Sequence, residues 1–202
     1  MTEHRRDLAR AYDAFASERD KAGEPDWRAD IRDGFAARLP RGGRLLEIGA
    51  GVGYSSKWFL DQGFDVTATD LSTVNVEICR AKGLRAEVRD MADLGFVDQL
   101  FDGVWAASCL MHIPDSELPS VLEEISRVLT LPGHLWAGTW GGTDREGIWE
   151  NDRYEPKRFY SIRSDERMRA FYEPQFEVLA FDAFDPRPDL EWHYQSALLR
   201  KA

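Results

Sequence analysis

The chain has 202 residues, 43% of them hydrophobic and 31% charged, which is typical of a soluble globular protein with enough chain to bury a core. The formal net charge of −10 disfavours a broad nucleic-acid surface, because phosphate contacts need clustered Lys and Arg, and a small-molecule partner is expected instead. The charged N-terminus and the lack of any run of about 18 apolar residues predict a cytoplasmic protein with neither leader nor membrane contact. Cys79 and Cys109 are expected to be buried thiols without metal-binding spacing, and the oligomeric state is left open.

The first forty residues have helical spacing. Apolar residues recur on one face over residues 3–20 and again over residues 26–38, and Pro40 followed by two glycines ends the second segment. These patterns predict a helical N-terminal extension over residues 1–40.

Residues 41–140 alternate between short apolar runs and segments of helical period. The runs RLLEI, FDVTATD, LRAEVRD, FDGVWAAS and HLWAGTW are predicted strands, and most of them are separated by amphipathic segments that end at glycine or proline. Such alternation predicts an α/β domain, a parallel sheet with helices on both faces.

Residues 141–202 differ in character. A polar, aromatic-rich stretch over residues 141–160 is expected to be a long ordered loop, and a short helix follows it. Two further strands flank DPRPD, and so short a link requires them to be antiparallel. No repeat or linker interrupts the chain, so residues 1–202 are expected to form a single domain.

The segment LLEIGAGVGYSS, residues 45–56, carries glycines at positions 49, 51 and 53 between a strand and a helix. Glycines at such a junction let the backbone turn sharply and bring a ligand close to main-chain N–H groups. A dinucleotide loop would need its third glycine at the position of Tyr54, and no Gly-Lys-Ser or Gly-Lys-Thr follows for a Walker loop. The sequence therefore disfavours NAD and nucleoside triphosphates.

LEIGAGVG, with Asp70 at the end of the second strand and RDMADL after the third, resembles the cofactor site of class I S-adenosylmethionine-dependent methyltransferases. The segment FDGVWAASCLMHIPDSELPSVLEEISRVLTLPGHLWAG and the terminal hairpin are similar to the same family. The resemblance implies a Rossmann-like, mostly parallel seven-stranded sheet with an antiparallel C-terminal hairpin. It also implies an enzyme that uses S-adenosyl-L-methionine and releases S-adenosyl-L-homocysteine.

The resemblance also implies roles for individual residues. The glycines would lie against the amino-acid end of the cofactor, Glu47 would face its ammonium group, and Asp70 would accept the ribose hydroxyls. Asp90 would accept from the adenine amino group. The cofactor-binding residues implied in this way are Glu47, Gly49, Ala50, Gly51, Gly53, Asp70, Leu71, Asp90, Met91 and Ser108. The alternatives are that Asp70 caps the next helix and that Asp90 is a turn residue.

His112, in SCLMHIP after the fourth strand, is the candidate catalytic base, because an imidazole can take a proton from a hydroxyl or an amine near neutral pH. The alternative is a packing role. The acceptor is expected to contact Trp27, Trp140, Tyr154, Arg158 and Tyr160, with aromatic walls that suit an apolar or cationic molecule. The first helix and the 141–160 loop are expected to close over the cofactor.

The expected reaction is methyl transfer to an oxygen or nitrogen atom of a small molecule. No Asn-Pro-Pro-Tyr or Pro-Cys signature follows the fourth strand, which disfavours methylation of nucleobases. Two alternatives stay open: an aminopropyl transferase, disfavoured because AASCLMH carries no acid, and a cofactor-binding module without catalysis.

Overall fold

A computed structural model describes residues 2–202. Its helices are α1 (Glu3–Ala22), α2 (Arg28–Ala36), α3 (Tyr54–Asp61), α4 (Thr73–Ala81), α5 (Leu118–Val128) and α6 (Asp165–Tyr172), with a 3-10 turn at Leu110–His112. Its strands are β1 (Arg44–Ile48), β2 (Asp65–Asp70), β3 (Arg85–Val88), β4 (Phe101–Ala107), β5 (Leu129–Gly141), β6 (Arg145–Ile148), β7 (Phe159–Ile162), β8 (Phe176–Phe184) and β9 (His193–Lys201).

Seven strands form one sheet in the order β3-β2-β1-β4-β5-β9-β8. The first five are parallel to one another, and β9 runs antiparallel to both of its neighbours, with Trp140 opposite Tyr194. The fold class expected from the sequence is confirmed. The order reverses between β1 and β4, and open α/β sheets bind ligands at such a switch point, outside the carboxyl ends of their strands.

Both faces of the sheet are covered by apolar packing. Leu46 and Ile48 of β1 belong to the cluster that includes α5, whereas Leu45 faces the opposite cluster. In that second cluster, Trp105 of β4 stacks on Trp136 of β5 with ring centroids 3.8 Å apart. Burial on both faces explains why these strands appear as continuous apolar runs rather than as an alternating pattern.

Two local features differ from expectation. The 141–160 stretch, expected to be a loop, contains β6, which pairs with β7 in a separate two-stranded sheet. The sequence of β6, REGI, has a single apolar residue, so it carries no alternation that would predict a strand. Pro132 and Gly133, expected in a turn before the fifth strand, lie inside β5, where the pairing with β4 shifts register.

None of the helices within residues 2–202 combines the length and the apolar character that crossing a bilayer requires.

Candidate cofactor and acceptor site

A cavity of about 560 Å³ lies at the carboxyl ends of the parallel strands. The glycine loop and Asp70 line one half, at β1 and β2, and Trp140 of β5 and Trp192, just before β9, line the other half. Residues of α1 and of the stretch 149–160 complete the wall. The strand order therefore separates an acidic, glycine-rich half from an aromatic half of the same cavity.

Gly49 and Gly51 both have left-handed backbone conformations, with φ of +62° and +56°, but they meet different surroundings. A Cβ added at Gly49 would lie 2.5 Å from the Cβ of Cys109, so this glycine allows the loop to pack against the end of β4. A Cβ added at Gly51 would meet only the Arg19 guanidinium, at 3.7 Å. Gly51 thus leaves open a space on the cavity side that any side chain would fill.

Asp70 holds the glycine loop in place. Its Oδ2 accepts the backbone N–H of Gly51 at 2.7 Å, and its Oδ1 accepts the N–H of Ser72 at 2.8 Å. Burial raises the pKa of this carboxyl, while these donors and Asn75 oppose the shift. Each carboxylate oxygen has more than one lone pair, so Asp70 can still accept hydroxyl groups from a ligand. The Oδ1 atom of Asn75, also at the cavity, is buried without a partner among residues 2–202.

Glu47 is buried at the end of β1, where Ser56 Oγ donates to its carboxyl. Burial raises its pKa to about 8, so the side chain is mostly neutral at pH 7. A cationic group placed beside it would favour the ionised form and lower that pKa.

His112 is buried with both ring nitrogens engaged. Nδ1 lies 2.8 Å from the carbonyl oxygen of Phe159, which can only accept, so Nδ1 carries the proton. Nε2 must then accept from the hydroxyl of Tyr12, also at 2.8 Å. Burial, with Arg158 nearby, lowers the pKa of His112 to about 3. A base role for His112 remains a prediction, and it requires the Tyr12 hydroxyl to leave Nε2.

Tyr12 belongs to a buried polar network that joins α1 to the stretch 149–160. Its hydroxyl accepts from Arg158 at 3.0 Å, and Arg158 forms a two-pronged ion pair with Asp152 at 2.7 and 2.9 Å. The Arg158 guanidinium also lies 3.5 Å from the ring centroid of Tyr154. The Arg158 guanidinium is therefore held in place by Asp152, Tyr12 and Tyr154.

The structure brings most of the residues expected from the sequence to this cavity. Those that line it are Glu47, Gly49, Ala50, Gly51, Asp70, Leu71, Met91, Ser108, His112, Trp140, Tyr154, Arg158 and Tyr160.

Three of the expected residues lie outside the cavity. A Cβ at Gly53 would meet Cys79 Sγ and the Leu84 side chain at 2.7 Å, so this glycine serves the packing of the loop on α4 and β3. Trp27 packs edge-on against Tyr194, with centroids 4.7 Å apart, on one face of the sheet. Asp90 pairs with Arg5 of α1 at 2.8 Å and borders a separate surface groove.

Residues that the sequence did not single out also reach the cavity, among them Tyr12, Arg19 and Arg28. Tyr12 and Arg19 are seven residues apart and share the face of α1 that carries Leu8. The signal in the sequence that could have identified Arg19 is its charge on an otherwise apolar face of the helix. Arg28 Nη2 donates to Ser108 Oγ at 3.0 Å, a contact that no spacing in the sequence predicts.

The unpaired polar atoms of the cavity fit S-adenosylmethionine. The Asn75 oxygen and the spare lone pairs of Asp70 suit ribose hydroxyls, Glu47 suits an ammonium group, and the buried Nε of Arg28 suits a carboxylate. In the part of the chain that the structure describes, no group of His, Cys, Asp and Glu side chains is placed to hold a metal ion.

The chain is similar to known methyltransferases. Residues 46–137 match the family model described as a methyltransferase domain. A sterol 24-C-methyltransferase of Aspergillus fumigatus is 28% identical over 201 residues, which cover 87% of this chain and 52% of that protein. The chain spans about half or less of the length of the curated relatives it matches.

Two solved structures show the same fold. A 1,6-didemethyltoxoflavin-N1-methyltransferase of Burkholderia thailandensis, solved with 1,6-didemethyltoxoflavin and S-adenosylhomocysteine, has a TM-score of 0.76 at 22% identity and covers 98% of this chain and 87% of its own. The [4+2]-cyclase SpnF has a TM-score of 0.75 at 20% identity, and the match covers 96% of this chain and 94% of the cyclase chain. Residues 46–137, which carry the glycine loop, thus match a methyltransferase domain, and the seven-stranded sheet has the fold of these two solved structures.

Proposed function

We propose that this protein transfers a methyl group from S-adenosylmethionine to an oxygen or nitrogen atom of a small-molecule acceptor. The observation that carries the proposal is the single cavity whose glycine-and-acid half suits the cofactor and whose aromatic half remains for an acceptor. When bound, S-adenosylmethionine supplies a methyl group that an acceptor lone pair takes as the C–S electron pair returns to sulfur, leaving S-adenosylhomocysteine.

The residues that would hold the cofactor do so through different chemistry. Gly51 leaves the open space, Asp70 accepts the ribose hydroxyls, and Glu47 receives the ammonium group. Arg28, beside Ser108, would take the carboxylate as a charge-assisted pair. Leu71 and Met91 provide apolar surface at the cavity wall.

The contribution of the chain to the transfer is mainly positioning and exclusion of water, which can supply much of the rate enhancement for an already activated methyl group. The His112 Nε2 atom already accepts from Tyr12, so the acceptor proton would leave either to solvent or through the Tyr12 hydroxyl. Residues 1–40 would act as a lid on the cofactor-binding core at residues 41–140, and residues 141–202 would supply the acceptor loop and the C-terminal hairpin of the same domain.

Turnover of labelled S-adenosylmethionine over a panel of hydroxyl and amine acceptors tests the reaction. The proposal expects acceptor-dependent release of S-adenosylhomocysteine. Asp70→Ala should weaken cofactor binding by about 1.5–3 kcal/mol, the scale of hydrogen bonds to a charged group. Normal cofactor affinity in that variant would contradict the placement of the ribose site.

A cofactor-binding role without methyl transfer is the second candidate. His112 has no free lone pair in the ring, and one protein of the same fold is a cyclase. Tight binding of S-adenosylmethionine with no S-adenosylhomocysteine formed on any acceptor would favour this role.

A further inference from the structure

The aromatic half of the cavity has a defined shape. Trp149, Tyr160 and Trp192 line it and contact one another, with ring centroids 5.0 Å apart for the two tryptophans and 5.5 Å for Trp149 and Tyr160. They come from the stretch after β6, from β7 and from the residue before β9. Such ring surfaces favour a flat, apolar ligand body.

This aromatic surface also carries an unused donor. Trp192 is 5% exposed, and its indole Nε1 has no hydrogen-bond partner among residues 2–202. An indole N–H can only donate, and a buried donor left unpaired costs about 1–3 kcal/mol. A ligand that places an oxygen atom here would recover that cost.

The faces of the neighbouring tyrosines are already occupied by cations. The Arg158 guanidinium lies 3.5 Å from the Tyr154 ring centroid and 5.2 Å from that of Tyr160, and Arg19 lies 5.4 Å from that of Tyr12. A cationic acceptor would find these ring faces taken and would meet like charge. The aromatic walls, which from the sequence alone suit an apolar or cationic molecule, therefore disfavour a cation.

The charges that line the cavity are unevenly paired. Several of its charged side chains have ion-pair partners: Arg158 with Asp152, Arg153 with Glu18, Arg187 with Asp189, Arg89 with Glu87, and Glu24 with Arg32. Arg19 and Arg28 form no ion pair with any residue from 2 to 202, and the Nε atom of each is buried without a partner.

The cofactor has a single carboxylate, in its amino-acid tail, to offer these two arginines, and the cavity carboxylate of Asp70 is already held by the N–H groups of Gly51 and Ser72. Arg28 contacts Ser108 and would take that carboxylate. Arg19 reaches from Gly51 toward the acceptor half, where its Nη1 donates to the hydroxyl of Tyr154 at 3.4 Å. One guanidinium therefore remains for an anion brought by the acceptor.

We infer that the acceptor is a planar aromatic molecule that bears a carboxylate, with its ring against Trp149, Tyr160 and Trp192 and its acid group at Arg19. This inference rests on the proposed function. The cavity of about 560 Å³ holds both ligands, which limits the acceptor to one or two rings.

Titration of the protein saturated with S-adenosylhomocysteine tests the inference. The matched probes are 4-hydroxybenzoate, 4-hydroxybenzamide and 4-hydroxybenzylamine, together with 1-hydroxy-2-naphthoate and its amide. The acids should bind at least about tenfold more tightly than the amides, with the amine weakest. Equal affinity of acid and amide, or a preference for the amine, would overturn the inference while S-adenosylhomocysteine binding still supported the proposed function.

Variants separate the two arginines. Arg19→Gln should remove the preference for acid over amide and leave S-adenosylhomocysteine affinity within about threefold, whereas Arg28→Gln should weaken S-adenosylhomocysteine. Arg153→Gln, on the same wall but paired with Glu18 and exposed, is the control and should change neither. Trp192→Phe keeps an aromatic ring but removes the indole N–H, and it should weaken binding of the acids by about fivefold.

Loss of S-adenosylhomocysteine binding in Arg19→Gln, with the acid preference retained, would assign Arg19 to the cofactor and overturn the inference. A folded wild-type protein that bound no S-adenosylhomocysteine would instead overturn the proposed function.

Discussion

The hydroxyl of Tyr12 donates to Nε2 of His112 across 2.8 Å and so ties the first helix to the turn that follows β4. Because the same hydroxyl accepts from Arg158, one side chain links three separate segments of the cavity wall. The enclosure of the site therefore depends on the hydroxyl of Tyr12, whereas the helical pattern of α1 marks Tyr12 only as one of its apolar residues.

Replacement of Tyr12 by phenylalanine tests this link. Tyr12→Phe leaves Nε2 of His112 without its donor and Nη1 of Arg158 without its acceptor, so the free energy of unfolding should fall by about 1–3 kcal/mol. Urea denaturation measures the change. Tyr172→Phe is the matched control, since that buried tyrosine makes no hydroxyl hydrogen bond within residues 2–202, and it should cost less than about 0.5 kcal/mol. Equal losses in the two variants would show that the Tyr12 hydroxyl does not anchor α1.

His112 predicts a pH dependence of stability. Its pKa is about 3 in the folded protein, against an ordinary value of 6.5. Between these two values the unfolded chain binds a proton that the folded protein does not, so the free energy of unfolding should fall as the pH is lowered from 6.5 toward 3. His112→Asn should be less stable at pH 7 but show a shallower decline with acid.

The comparison needs a control for the loss of a histidine. His4→Asn, on the first turn of α1, should keep the wild-type slope. A wild-type slope that matches that of His112→Asn would mean that His112 titrates normally in the folded state.

The two glycines of the loop should respond differently to alanine. Both have left-handed φ, so each substitution costs about 1–2 kcal/mol of backbone strain. Gly49→Ala also forces its Cβ against Cys109 and should lower the thermal midpoint further, whereas Gly51→Ala fills open space and should mainly weaken S-adenosylmethionine. Differential scanning calorimetry and titration together separate these effects. Unchanged affinity of Gly51→Ala for S-adenosylmethionine would show that the cofactor does not lie against this face of the loop.

Glu47 predicts a proton released on cofactor binding. With a pKa of about 8 the free carboxyl is mostly protonated at pH 7, and an ammonium group beside it would ionise it. Titration calorimetry in buffers of different ionisation enthalpy should detect up to about one proton released at pH 7 and almost none at pH 9. Glu47→Gln should abolish the release. A release that persisted in this variant would place the titrating group elsewhere.

The residues of the site that could be predicted from the sequence are those whose position follows from a nearby strand end. Gly49, Gly51 and Asp70 sit at fixed positions relative to strand ends, and parallel strands bring such ends to one edge. Contacts made by long side chains across the cavity have no such signature. Arg5 reaches Asp90 over 85 positions, and the placement of Trp27 against Tyr194 depends on how α2 packs on the sheet. Tertiary packing decides both, and no spacing in the chain records it.

Methyl transfer by this protein requires S-adenosylmethionine to enter the cavity beside Gly51 and Asp70. Calorimetric titration with S-adenosylmethionine and S-adenosylhomocysteine, with NADH as the control, tests this most directly. We expect both sulfur ligands to bind with about micromolar affinity and NADH not to bind, because Tyr54 stands where a dinucleotide loop has its third glycine. A folded sample that bound neither sulfur ligand, or that bound NADH instead, would contradict the assignment.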